Sequence, residues 1–107
     1  MDKQVFTRLS DECLARVAVW LEQFDPDEVD YTTTDGVISL VFPDGARYVL
    51  NRQGAADQMW LAAGARAFHY NWDAARRAWF DDRDGHALDL KLAEVVSKKL
   101  GRTVTLA

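Results

Sequence analysis

The sequence predicts an α+β fold, a two-layer α/β sandwich in which an antiparallel sheet of about six strands carries an N-terminal and a C-terminal helix on one face. Three observations indicate this fold. Apolar residues recur at helical spacing near both ends of the chain, they alternate with polar residues in between, and turn residues separate the alternating runs. The 107 residues, 49% of them apolar, suffice for one domain, 1–107, with one hydrophobic core.

Both predicted helices are amphipathic, so each of them must bury one apolar stripe. The simplest arrangement lays both helices on the same face of a single twisted sheet. The other face of the sheet is then open to solvent, which an antiparallel sheet permits. Side chains that point away from the core on the central strands are therefore the first candidates for a binding surface.

The first helix is predicted over residues 4–23. Its apolar residues recur at steps of three and four and form one stripe: Phe6, Leu9, Cys13, Val17 and Phe24. Asp2 is the predicted N-cap, and Pro26 disfavours helical geometry in the residue before it. Because Trp20 and Leu21 cannot both lie at the centre of a narrow stripe, we expect Trp20 to be partly exposed.

Six strands are predicted between the helices, over residues 29–34, 37–42, 46–51, 58–63, 67–72 and 78–81. The pair Asp35-Gly36 lies between the first two strands and predicts a two-residue hairpin loop with a type I′ turn. The last helix has Leu88, Leu92 and Leu100 on its apolar stripe, and Gly101 is its predicted C′ residue. The order of helix, consecutive strands and helix matches the two-layer sandwich.

The charge of the chain is unevenly distributed. The net charge is -4, but the first thirty residues hold eight acids and three bases, while the remaining 77 hold nine acids and ten bases. A negative field at one end of the sequence argues against nucleic acid as a partner, because phosphate binding needs positive charge. The same field suits a cation or a basic protein surface.

Other classes of protein are excluded by simple counts. A single cysteine, Cys13, rules out a disulfide within the chain and a cluster held by four thiolates of this chain, and its place on the apolar stripe indicates core packing. No apolar run approaches the length of a membrane span, and the N-terminus does not resemble a signal peptide. We therefore expect a cytoplasmic location and no membrane partner.

One stretch, residues 51–62, has an unusual pattern. In a strand over residues 58–63, Met59 and Leu61 point to the core, whereas Gln58 and Trp60 point to the opposite face. A tryptophan there either packs beneath a loop or belongs to a binding face made of amides and one large aromatic ring. On the same open face, alternation also places His69 of the next strand.

The stretch also resembles the signature of a known family. Asn51-x-Gln53, four further residues and Gln58-x-Trp60-Leu61-Ala62 are similar to the frataxin family in its short bacterial form. The similarity extends to about residue 101 and implies a frataxin-like fold. Ala55 stands where the family commonly has a proline, which predicts a looser loop. The resemblance further implies iron binding and partners of iron–sulfur cluster assembly, namely the cysteine desulfurase and the scaffold protein.

Five acids lie between residues 22 and 30 with no lysine or arginine among them: Glu22, Asp25, Asp27, Glu28 and Asp30. Carboxylate oxygens are hard ligands that suit iron, manganese, calcium and magnesium. An acidic run is by itself usually a solvated surface. The resemblance to frataxins implies instead an acidic ridge that binds iron (Fe²⁺ or Fe³⁺) weakly and with poor selectivity, which Asp11 and Glu12 extend. Ala18 and Val19 stand where bacterial relatives often carry carboxylates.

Three classes of function follow from these observations. The first is a regulator or adaptor that binds iron and the assembly partners, with Asn51, Gln53, Gln58, Trp60 and His69 as the partner-binding face. The second is an iron oxidase or iron-storage protein, but no glutamate is followed by a histidine three residues on, as in di-iron bundle sites. The third is a nucleic-acid binder, which the charge disfavours. We expect the first, without catalysis, as a monomer, with an iron-dependent oligomer left open.

Overall fold

The structure is a computed structural model that describes residues 1–106. Helix α1 (Lys3–Leu21) is followed by strands β1 (Asp30–Thr34), β2 (Val37–Val41) and β3 (Arg47–Gln53), a 3₁₀ turn (Gly54–Ala56), strands β4 (Gln58–Ala63), β5 (Arg66–Asp73) and β6 (Ala78–Asp81), and helix α2 (Leu88–Leu100). The six strands form one sheet in sequence order, and each neighbouring pair is antiparallel. The predicted α+β sandwich is confirmed.

The core lies between the two helices and one face of the sheet. Ile38, Leu50, Leu61 and Tyr70 are buried on that sheet face, and the residues of the two helices that meet them are buried as well: Phe6, Cys13, Val17, Leu21, Leu88, Leu92 and Val96. Phe6 of α1 meets Trp79 of β6 edge to face, with ring centroids 6.2 Å apart. Both helices therefore cover the same face of the sheet, and neither helix lies on the opposite face.

The ends of the helices follow the predicted capping residues. The Asp2 carboxylate accepts hydrogen bonds from the backbone amides of Gln4, at 2.7 Å, and Val5, at 3.3 Å, which confirms the N-cap. Helix α1 ends at Leu21, two residues earlier than predicted, because the amides of Glu22 and Phe24 turn back to carbonyls three residues before them. Gly101 closes α2 with a left-handed φ of 71°.

The expectation that Trp20 is partly exposed is wrong. Trp20 is only 9% exposed, because the segment after α2 folds back over it and the indole Nε1 donates to the Thr105 carbonyl at 2.7 Å. The Trp20 ring also meets Phe24 edge to face at 5.1 Å. Leu106, near the end of the described chain, is also buried in the core. The apolar stripe of α1 is thus wider than its periodicity suggests.

The type I′ turn predicted at Asp35-Gly36 is also wrong. A type I′ turn needs positive φ at both central residues, and only Gly36 has one, at 75°. The Arg52 side chain packs against this glycine so closely that an added Cβ would lie 2.7 Å from its Nε. The guanidinium of Arg52 pairs with both Asp11 of α1 and Asp35 of the turn. Arg52 therefore joins β3, the first hairpin and α1.

No helix among the described residues combines the length and apolar character that crossing a membrane requires.

We expect the segment after α2 to contribute measurably to stability. Leu106 is 8% exposed and Leu90, on the outer surface of α2, is 70% exposed. Leu106→Ala should lower the free energy of unfolding by about 2 kcal/mol, because it removes buried methyl groups from the residue that follows Thr105, whose carbonyl binds the Trp20 indole. Leu90→Ala, the same change on the surface, should stay within about 0.5 kcal/mol of the parent. Urea denaturation measures both, and equal midpoints for the two variants would contradict the packing described above.

Candidate functional site

The face of the sheet that no helix covers carries the five residues predicted to bind a partner. The strand register places Asn51 of β3, Trp60 of β4 and His69 of β5 side by side in one row. Gln53 and Gln58 are directly opposite each other in the next row. All five residues are partly exposed. The structure thus brings the predicted residues together in two adjacent rows across three strands.

The Trp60 side chain is half-buried, because neighbouring side chains on the same face of the sheet cover part of its ring. Its indole stacks on the His69 imidazole, with ring centroids 4.4 Å apart and planes inclined by 28°. Its Nε1 donates to the Gln58 side-chain carbonyl at 2.9 Å. Cross-strand neighbours therefore hold the ring in one orientation, which lowers the entropy that a partner would have to remove on binding.

Two residues of this face were not found from the sequence. The Gln58 amide donates to the Asn71 side chain at 3.1 Å and to the Asp82 carboxylate at 3.2 Å. His69 Nδ1 also lies 3.9 Å from the same carboxylate. Asn71 follows His69 by two positions, so strand alternation could have identified it. Asp82 lies in the turn after β6, where no sequence pattern shows which face it joins.

The loop between β3 and β4 is anchored to the first helix. Asp57 has a left-handed φ of 52° and ends the 3₁₀ turn that begins at Gly54. The ammonium group of Lys3 donates to the Gly54 carbonyl at 2.5 Å and to the Asp57 carboxylate at 2.8 Å. This contact fixes the end of β3, where Gln53 lies, even though Ala55 replaces a proline in the loop.

The acidic run forms the connection from α1 to β1 and the start of that strand, and we call residues 22–30 the acidic segment. Glu22, Asp25, Asp27 and Asp30 are exposed, and none of them pairs with a base among residues 1–106. The Asp25 carboxylate accepts the Asp27 amide at 2.9 Å, which holds the turn. At this end of the molecule, negative charge is therefore presented to solvent at four positions.

Glu28 differs from the other acids of the segment. It is half-buried, and Arg102, from the segment after α2, lies 3.2 Å from its carboxylate. The guanidinium of Arg102 also lies 5.9 Å from the centre of the Phe24 ring. The run has no base in sequence, but the fold supplies one, which reduces the net negative charge of the segment.

The acidic segment is an open surface rather than a closed cage. Within residues 1–106, three ligand atoms from histidine, cysteine, aspartate or glutamate converge within 4.8 Å only at Asp81, Asp84 and His86, none of which belongs to the segment. A cation near the segment is therefore attracted by several carboxylates and coordinated by few of them, with water completing its shell.

Asp11 lies apart from the acidic segment. It is eleven residues before Glu22, which is about 16 Å along a helix, and its carboxylate is paired with Arg52. Its part in metal binding stays a prediction, and a cation there would compete with a guanidinium. Cys13 is buried in the core as predicted, and burial raises the pKa of its thiol to about 12, so the thiol stays protonated.

The chain is similar to one protein family and to several bacterial proteins. The family model of the frataxin-like domain matches residues 1–102. An iron–sulfur cluster assembly protein CyaY from Thioalkalivibrio sulfidiphilus is 37% identical over 102 residues, which cover 94% of this chain and 95% of that protein. The protein of the same name from Dechloromonas aromatica is 35% identical over 106 residues, which cover 99% of each chain.

Solved structures agree with these matches. A frataxin from Psychromonas ingrahamii superposes with a TM-score of 0.89 at 26% identity, covering 100% of this chain and 99% of its own. A trimeric frataxin from the yeast Saccharomyces cerevisiae, complexed with ferrous iron, superposes with a TM-score of 0.75 at 29% identity, covering 88% and 87%. Since the family model spans nearly the whole chain and both relatives are more than 30% identical to it, the chain belongs to the frataxin family.

Proposed function

We propose that this chain is an iron-binding regulator, or adaptor, of iron–sulfur cluster assembly, and that it acts by binding rather than by catalysis. In this proposal the acidic segment binds iron, and the uncovered sheet face binds the complex of cysteine desulfurase and scaffold protein. The relatives are named as assembly proteins, and a yeast neighbour is complexed with ferrous iron. The observation that carries the proposal is the ordered row of Asn51, Trp60 and His69 on the sheet face that no helix covers.

The chemistry of the two surfaces indicates what kind of partner fits them. The sheet face offers amides and a stacked aromatic pair, and the acidic segment lies at the β1 edge of the same sheet. By the strand register, Asp30 at the start of β1 lies three strands across and four residues along from Trp60, which corresponds to roughly 20 Å. A protein interface of ordinary size, about 800 Å² on each partner, spans that distance. One partner with a basic rim around an apolar pocket can therefore contact both surfaces.

The two surfaces should contribute differently to the complex. Exposed charges such as Asp25 and Asp27 attract a basic partner over a distance and govern the association rate and its salt dependence. A pre-oriented aromatic ring such as Trp60 fills a pocket after contact and governs the lifetime of the complex. This division follows from the open character of the acidic segment and the ordered character of the sheet face.

Iron binding at the acidic segment should be weak and poorly selective. The oxygens there are hard donors that accept Fe²⁺, Fe³⁺ and other hard cations. Because they do not converge, they cannot impose one coordination geometry or one ionic radius. Exposed carboxylates also attract a cation through water, whose high dielectric constant weakens the electrostatic contribution to the binding free energy.

The alternative is an iron oxidase or an iron-storage oligomer. The trimeric state of the yeast neighbour that is complexed with ferrous iron favours it. However, the acids of the acidic segment have no nitrogen ligand beside them in sequence, and Ala18 and Val19 leave the last turn of α1 without carboxylates. An adaptor needs neither a closed di-iron centre nor a mineral-nucleating surface, so the first function fits this chain better.

We expect iron to act on the acidic segment and not on the sheet face. In an anaerobic NMR titration, ferrous iron should broaden or shift the backbone amides of residues 22–30 and leave those of Trp60 and its neighbours in β4 unchanged. The reason is the concentration of unpaired carboxylates in the segment. The double variant Asp25→Asn with Asp27→Asn should lose most of the response, while Asp73→Asn, at the end of β5 and four strands away from β1, should retain it. Iron-induced changes centred on β4 would contradict the assignment.

We expect Trp60 to matter for binding much more than for stability. Trp60→Ala should weaken the affinity for the desulfurase complex by about 2 kcal/mol or more, which is roughly 30-fold, as for a central aromatic anchor. It should lower the free energy of unfolding by only about 1 kcal/mol, the worth of a stacked pair at a half-buried position.

Trp79 provides the matched control for this experiment. Its ring is buried on the opposite, helix-covered face, so Trp79→Ala should lower the free energy of unfolding by about 3–5 kcal/mol. Denaturant unfolding and partner affinity are measured for both variants. If Trp60→Ala unfolds as easily as Trp79→Ala, or binds the partner as tightly as the parent, the sheet face is not the binding site.

A further inference from the structure

The turn between β6 and α2 gathers three potential metal ligands that the proposed function does not use. Asp81, Asp84 and His86 each offer one ligand atom, and these atoms lie within 4.8 Å of one another. Asp81 is the last residue of β6 and faces the core opposite Tyr70 of β5. The trio therefore lies on the helix-covered side of the sheet, away from Trp60.

Asp81 has a carboxylate oxygen that nothing in the described chain satisfies. The residue is only 7% exposed. Its Oδ2 accepts the backbone amides of Arg83, at 2.9 Å, and Asp84, at 3.0 Å. Its Oδ1 is buried and meets no hydrogen-bond donor among residues 1–106. A buried acceptor without a partner costs free energy, and a cation is one way to compensate it.

The His86 ring has a hydrogen-bond partner at each of its nitrogens, and this fixes its orientation as in metal-binding histidines. Its Nε2 lies 2.8 Å from the Tyr70 hydroxyl, which is buried, and its Nδ1 lies 2.5 Å from the Asp84 carboxylate. The edges of Phe68 and Tyr70 confine the ring, at centroid distances of 5.2 and 5.3 Å. In metal sites one ring nitrogen binds the ion while the other is fixed by an outer hydrogen bond, and Tyr70 is placed to make that bond.

We propose that Asp81 Oδ1, a carboxylate oxygen of Asp84 and His86 Nδ1 bind a divalent transition-metal ion of the zinc type. One imidazole nitrogen with two carboxylates is a donor set that zinc accepts, with water in the fourth position. Zinc needs an unprotonated Nδ1 and leaves the ring proton on Nε2, so the ion competes with protons for Nδ1 and binding weakens in acid. The Asp84 side chain is exposed and provides the route of entry.

This site differs in chemistry from the acidic segment. The acidic segment contains only oxygen donors, whereas the turn site includes an imidazole. The chain has two histidines, and the other one, His69, stacks on Trp60 on the opposite face of the sheet. The His86 signals therefore report on the turn site, separately from cations held at residues 22–30.

The test is an NMR titration of the intact chain with zinc chloride, in which the nitrogen and carbon-bound proton signals of both imidazoles are followed. At about one equivalent, the His86 Nδ1 signal should move to the position of a metal-bound nitrogen, and the signals of His69 should stay. The melting temperature should rise on addition of zinc, because the ion binds the folded state only.

Two variants and a neighbouring control make the test specific. Asp81→Asn keeps an oxygen for the two turn amides but removes the charge, and Asp84→Asn likewise keeps an oxygen for the His86 amide while removing the charge. Each should weaken zinc binding at least tenfold and abolish the rise in melting temperature. Asp82→Asn makes the same substitution one residue away, on the face of Gln58, and should bind zinc as the parent does.

Several results would overturn the proposal. His86 signals that stay unchanged with excess zinc would show that the cluster does not bind the ion. A shift confined to His69 or to the amides of residues 22–30 would place the ion elsewhere. Equal zinc affinity in Asp84→Asn and Asp82→Asn would remove the turn carboxylates from the site. None of these outcomes would refute iron binding by the acidic segment or partner binding by Trp60.

Discussion

Helices α1 and α2 bury their apolar stripes against the same face of the sheet, and the arrangement of the rest of the molecule depends on this contact. Alternation along each strand then sends every second side chain of β3, β4 and β5 to a face without a covering layer. Residues on that face gain no stability from the core, and their orientation comes from their cross-strand neighbours. The two-layer fold thus creates a flat surface with defined side-chain positions.

The two candidate surfaces differ in how their polar side chains are hydrogen-bonded. On the sheet face, Gln58 satisfies the Trp60 indole and is itself bonded to Asn71 and Asp82, so the groups form one connected network. In the acidic segment the carboxylates point to water, and only Glu28 has a base beside it. The side chains of the first surface therefore hold one another in place, whereas most carboxylates of the second are held by no base.

Sequence patterns identified most of the fold because local chemistry sets its elements. The bounds of β4 and β6 agree with the prediction, since turn residues flank both strands, and Asp2 and Gly101 cap their helices as expected. The errors have non-local or conformational causes. Trp20 is covered by a carbonyl 85 residues away, and the turn at Asp35-Gly36 packs against the Arg52 side chain of another strand.

For the candidate sites, too, local patterns predicted some residues and tertiary packing determined the others. Strand alternation was sufficient to place Trp60, Gln58 and His69 on one face, because the strand period of two leaves little freedom. Periodicity could not show that Asp11 pairs with Arg52, that Arg102 reaches Glu28 or that Asp82 joins Gln58. Each of these contacts joins side chains from separate elements. Their partners are chosen by tertiary packing and leave no local signal.

Hydroxyl-radical footprinting of the free chain and of its complex with the desulfurase and scaffold tests the central claim most directly. Trp60 and His69 report on the sheet face, while Val19 and Leu90, both well exposed, report on the helices. If the uncovered face is the binding surface, oxidation of Trp60 and His69 falls in the complex and that of Val19 and Leu90 does not change. Protection of Val19 and Leu90 with unchanged oxidation of Trp60 would contradict it.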